Sequence, residues 1–118
     1  MKHPATAAIR RHEIPVDDQW HTLRLTASHI LHVHSRRPDV VELWAIHHEG
    51  VEPTARAYRA FGTGQPIDDC YLLGHVGTAI YQQSGPLASG ARLVWHLFEH
   101  LDPARLTTDA SEEGQEQA

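Results

Sequence analysis

From Ile9 to about His100 the chain is cut into short segments by Pro, Gly, Asp and Ser, and this punctuation constrains the fold more than any other feature. Strands of ordinary length fit between such breaks. Inside the segments the side chains alternate. In "WHTLRL", His21, Leu23 and Leu25 alternate with Thr22 and Arg24. In "HILHVHS", Ile30, His32 and His34 share one expected face, with Leu31 and Val33 on the other. "RRPD" then reads as a turn, and "VVELWAIHH" is rich in β-branched and aromatic residues. Period two with closely spaced turn signals predicts antiparallel β structure. There is no internal repeat.

Two segments carry mixed signals. "EPTARAYRAFGTG" has Pro53 near its start, alanines within and Gly62 at its end, which imitates a helix and its stop. As a strand it places Arg56, Tyr58 and Ala60 on one face and Ala57, Arg59 and Phe61 on the other. Propensity favours the helix, but the run is short for an isolated one. "ARLVWHLFEHL" gives a helical stripe of Leu93, Leu97 and Leu101, or a strand apolar on both faces and central in its sheet. "YLLGHVGTAIYQQ" reads as a strand in which Gly74 and Gly77 mark a bulge or a close backbone approach. "SGPLASG" reads as a loop.

The 118 residues suit one domain, and 41 % hydrophobic residues is an ordinary globular share. The net charge of −5 is concentrated beyond residue 101, where Asp102, Asp109, Glu112, Glu113 and Glu116 face only Arg105. The near-neutral remainder lacks the broad basic surface that general nucleic-acid binding needs. Cys70 is the single cysteine, so no intramolecular disulfide forms and a reducing cytoplasm is expected. "MKHPATAAIRRHEI" offers no apolar run for a signal peptide, and no segment reaches the length of a membrane span.

The chemical signals are fragmentary. In "FGTGQPIDD" two glycines flank Thr63, but a phosphate loop needs Lys and Ser or Thr after its last glycine, and Gln65, Pro66 and Ile67 follow Gly64. A dinucleotide fingerprint fails as well, since its third glycine would fall at Ile67. A connection turned by glycine is the plainer reading. Eleven histidines invite a metal site. His32 and His34 would project side by side on a strand, a pair suited to zinc, while His47 and His48 would face opposite ways. A site needs three or four converging ligands, and the spacing supplies two. Asp17–Asp18 and Asp68–Asp69 read as turn residues, Arg36–Arg37 as a solvated turn with an anion grip as the alternative, and Trp20, Trp44 and Trp95 as core anchors. No nucleophile elbow or cysteine–histidine spacing points to an enzyme.

Taken together, "HEIPVDDQW", "ILHVHSRRPDVVELWAI", "FGTGQPI", "VGTAI" and "LVWHLFEH" resemble a family of small proteins encoded mainly by bacteriophages and prophages, a domain of unknown function. The match spans about residues 12 to 100. The resemblance implies a phage or prophage origin, a β-rich fold and a strand over 54–61, where similar proteins carry more β-branched residues. It transfers no catalytic residue. "HVHS" departs from the pattern, so the resemblance lends no support to a metal site there.

The expected fold is all-β: a single small antiparallel sandwich or partly closed barrel of about seven strands. Its hairpins would join 9–15 to 20–26, 29–35 to 40–47, and 71–82 to 91–99. The alternative is α+β with one short helix, at 54–61 or 91–101. Residues 1–8 are expected as a flexible lead, 9–101 as the domain and 102–118 as a disordered acidic tail. The expected function is that of a non-catalytic accessory module binding a host protein in the bacterial cytoplasm, able to pair through sheet edges into a homo-oligomer. One alternative is a small-molecule sponge for a nucleotide defence signal, using Arg56, Tyr58, Arg59, Gly62, Thr63 and Gly64. Another is a metal-dependent enzyme using zinc on His32 and His34.

Overall fold

The computed structural model describes residues 6–26, 29–83 and 92–106. These residues contain seven strands: β1 (Ala7–Pro15), β2 (His21–Leu25), β3 (His29–Arg37), β4 (Val40–His48), β5 (Thr54–Gly62), β6 (Leu73–Gln82) and β7 (Arg92–His100). They form two antiparallel sheets, β1-β4-β3 and β2-β5-β7-β6, packed face to face with β3 against β6 and β1 against β5. The expected all-β sandwich is present, and the sheets do not close into a barrel. Helical structure among the described residues amounts to a 3₁₀ turn at Cys70–Leu72 and one turn over 103–106. The expected loop over 84–90, residues 1–5 of the lead and residues 107–118 of the tail lie outside the described residues. Ala7 and Ala8, expected in the lead, instead pair with His48 and His47.

Two expected hairpins form, β3 with β4 and β6 with β7. The third does not: β1 pairs with β4, and β2 pairs with β5 in the other sheet. The cause lies in "PVDDQW". The Val16 N–H donates to Asp39 O (2.8 Å), extending the β1–β4 contact past Pro15. Asp18 then adopts a left-handed φ of 61° and redirects the chain. Asp is among the few residues that tolerate this conformation. Trp20 arrives on the outside of the second sheet, edge-on to Phe61 and His100.

The segment 54–61 is a strand despite its alanines, hydrogen-bonded to β2 on one side and β7 on the other. Burial explains the override. Tyr58 and Ala60 face the opposing sheet while Ala57 and Phe61 are buried on the outer side, so the strand is covered on both faces. Tertiary packing of this kind outweighs local propensity. β7 likewise occupies the centre of its sheet.

The core joins Ile14, Val33, Val41, Leu43 and Ala45 to Leu25, Tyr58, Ala60, Ala79 and Leu97. Leu25, Leu43 and Leu97 are almost wholly buried, each side chain contributing about 1.5–3 kcal/mol relative to exposure. None of the three tryptophans is fully buried, and of them Trp95 packs against the core. Trp20 and Trp44 lie half-buried on the outer faces, and Trp95 packs at the rim with its Nε1–H donating to Pro38 O (3.2 Å). The sheets approach most closely where β6 crosses β3. A Cβ on Gly77 would lie 2.7 Å from Val33 Cγ2. The bulge expected near the β6 glycines falls between His75 and Gly77. A second bulge, between Ile30 and His32, turns Ile30 inward with Val33 rather than outward with His32 and His34.

Candidate functional site

The residues expected around a small-molecule pocket divide between two faces of β5. Arg56 donates to both oxygens of Glu99 (Nε to Oε2 2.7 Å, Nη2 to Oε1 2.8 Å) and stands over the Tyr58 ring at 5.8 Å. Tyr58 is fully buried, and desolvation pushes its phenol up to about 12. Arg59 lies on the other side, its guanidinium 4.5 Å from the Phe61 ring centre, with Asp18 at 3.8 Å.

The "GTG" loop is a turn. The Gln65 N–H donates to Gly62 O (3.0 Å), with Gly64 at φ 88° in the third position. That positive φ is the requirement of a type II turn. The Gly62 N–H, which a phosphate nest would need, already donates to Gln65 Oε1 (2.9 Å). Thr63 Oγ1 contacts His96 Nε2 (2.8 Å).

His32 and His34 do project side by side on the outer face of the first sheet, ring centres 6.0 Å apart, with Trp44 5.7 Å from His32. Among the described residues no group of three or more His, Cys, Asp or Glu side chains gathers to hold a metal ion. Arg36 and Arg37 are engaged on the same face. Arg36 donates to Glu42 (2.9 and 2.7 Å), Arg11 also binds Glu42, and Glu13 accepts from Arg11 (2.9 Å) and Arg37 (3.2 Å). The hydrogen bonds from Arg36, followed by those from Arg11, hold the Glu42 carboxyl below the usual carboxylate range against the opposing effect of burial.

A concave site lies elsewhere, at the end of the sandwich where β1, β2 and β4 meet. It is a cleft of about 570 Å³ whose lining includes Arg10, His12, Arg24, Thr26, His47 and Glu49. The β1–β4 pairing builds it. His12 lies two residues before buried Ile14, and His47 two residues after buried Ala45, so both rings point between the sheets. Their Nε2 atoms are 2.8 Å apart. Thr26 Oγ1 lies 3.4 Å from His47 Nδ1 and accepts the His48 N–H (3.0 Å). The Glu49 N–H donates to Thr6 O (2.8 Å), closing the rim. Burial, before any charge effect, pushes both imidazoles below the ordinary histidine range. The neighbouring His47 and then Arg10 add to the shift at His12, and Arg10 and then His48 at His47.

At neutral pH the site therefore presents two neutral rings, one donating Nε2–H to the other, beside two guanidinium groups and a hydroxyl. Such a set can bind and orient a polar ligand of modest size. The parity of both histidines with core residues was visible in the sequence. Their meeting depends on β1 pairing with β4, which sequence reasoning assigned to β2.

No helix among the described residues is long and apolar enough to cross a membrane. No curated protein and no solved structure shows a significant match to the chain. Residues 5–107 match the family described as a domain of unknown function, DUF7352, and since this covers most of the sequence, the chain belongs to that family.

Proposed function

We propose that the protein is a non-catalytic binding module whose ligand is a small polar molecule held in the cleft between β1, β2 and β4. The observation that carries this reading is the convergence of Arg10, His12, Arg24, Thr26 and His47 on one cleft of about 570 Å³. That volume falls within the range of small-molecule sites, and a few convergent polar groups on a preformed scaffold are their usual recognition set. With the resemblance to phage-encoded proteins, the role is sequestration of a nucleotide-type signal. Isothermal titration with a panel of nucleotides and other small metabolites tests it. Saturable heat with the wild type that is lost in an Arg10→Ala/Arg24→Ala double variant supports the reading. Heat unchanged by the double variant, or none across the panel, counts against it.

A second reading, a protein partner supplied by the host, is favoured by the outer face of the first sheet. There Ile9, Ile46, Trp44 and His32 lie beside the charged row Arg37, Glu13, Arg11, Glu42 and Arg36. An aromatic and aliphatic centre with a charged border is the usual anatomy of a protein interface. Stoichiometric capture of one host protein that Trp44→Ala abolishes, and that Arg10→Ala/Arg24→Ala leaves intact, would move this reading to the front.

A further inference from the structure

We propose that the ligand of the cleft carries a tetrahedral oxyanion, such as a phosphate ester group, and that the His12–His47 pair takes up one proton when it binds. The proposal rests on the cleft being the ligand site and adds the ligand's charge and its proton linkage. The first observation concerns the arginines. Arg11, Arg36, Arg37 and Arg56 are each paired with a carboxylate. Arg10 and Arg24 are different. Among the described residues Arg10 has no ion-pair partner, and Arg24 reaches only Pro53 O at 3.4 Å. Both line the cleft, where Glu49 is the single carboxylate among the described residues. Two guanidinium groups over one carboxylate leave a positive site, and guanidinium geometry suits oxyanions.

The second observation is the histidine pair itself. A 2.8 Å Nε2–Nε2 contact holds one proton between the rings. In the neutral pair one ring is therefore the Nε2–H tautomer with a bare Nδ1, and the other carries its proton on Nδ1. An added proton goes to that bare Nδ1. The pair becomes imidazolium and imidazole, keeps the same contact, and gains a charge-assisted hydrogen bond. A second added proton would set two N–H groups against each other, so uptake stops at one.

The groups facing the pair decide when that proton arrives. Arg10 comes from β1, Arg24 from β2, His48 from β4 and Glu49 from the turn that follows, while the segment leading into β5 contributes Pro53. Burial and the Arg10 charge oppose protonation in the empty cleft. An anion seated against Arg10 and Arg24 offsets both and raises the proton affinity of the rings. Linkage makes the effect mutual, so protonation strengthens anion binding by the same factor.

Sulfate is the probe, because unlike phosphate it does not titrate between pH 5 and 8. The full chain is followed by imidazole and amide NMR with and without sodium sulfate. The expected result is sulfate binding that tightens as pH falls from 8 towards 6, by up to about tenfold per pH unit for one proton. The midpoints of His12 and His47 should rise on binding, and Arg10→Ala/Arg24→Ala should remove both effects. His12→Asn should flatten the pH dependence, and the wild-type midpoints decide the matter should that variant unfold. Affinity independent of pH, with unmoved midpoints, overturns the proton linkage. A cleft that binds a neutral compound from the panel but ignores sulfate overturns the oxyanion and leaves the binding module standing. Failure of both probes removes the two proposals together.

Discussion

Individual residues set the pH response of this fold. His12 and His47 have folded pKa values below the ordinary 6.5. Both are therefore better accommodated neutral in the folded chain than in the unfolded one. Their contribution is complete above pH 6.5 and is lost as pH falls through the depressed folded values. Denaturant unfolding between pH 7.5 and 5 should show stability falling over the lower half of that range, with a shallower slope in His12→Gln. An unchanged slope would mean that the rings are not held as described. Glu42 is the second residue-scale case. Its carboxylate is 3 % exposed, whereas Arg11 and Arg36 are 41 % and 62 % exposed. Removing the glutamate frees arginines that water can reach, so Glu42→Gln should cost about 1–2 kcal/mol, below the 3–5 kcal/mol of a fully buried pair. Urea unfolding at pH 7 measures it. At this scale much was legible. The two faces of β5 follow from period two, and the turn role of Gly62–Gly64 from glycine's freedom at positive φ. Trp20 and Trp44 misled, because large rings read as core wherever they occur, while the centre is filled by Tyr58 and aliphatic side chains and only Trp95 packs against it.

At the scale of elements, the test is where backbones come together. Gly77 lets β6 lie directly over Val33 of β3. A methyl group there must push the sheets apart, so Gly77→Ala should destabilise by about 1–3 kcal/mol. Gly64, with open space around it and φ 88°, is a different case. Gly64→Ala meets no neighbour and costs only backbone strain, about 1 kcal/mol. Thermal unfolding of the two variants should rank them in that order. Equal losses would contradict the packing account at Gly77. Strand identity was readable where alternation was clean, as in β2, or where β-branched and aromatic residues were dense, as in β4. It was ambiguous in β5, where alanine and arginine carry helical propensity and only the neighbours on both sides decide. The β1–β2 hairpin was misread for a related reason. Two strands joined by a short link usually pair, and nothing local records that Asp18 sends the chain to the other sheet.

For the whole molecule, β1, β3, β2 and β6 are the edge strands of the two sheets among the described residues. Exposed edges favour pairing between copies. Native mass spectrometry across a concentration series should show whether a dimer forms and whether Trp44→Ala or an edge substitution removes it. Whole-molecule topology is also what created the candidate site, and it is the level at which the sequence was least informative. His12 and His47 are 35 positions apart and become neighbours only through the β1–β4 pairing.

The measurement that bears most directly on the account is an amide-resolved NMR titration of the wild-type chain with the nucleotide and metabolite panel. The account predicts saturable shifts confined to residues 6–12, 24–26 and 47–49, around the cleft. Shifts centred on His32 and Trp44, or on the Gly62–Gln65 turn, or no saturable shift with any compound, would contradict it.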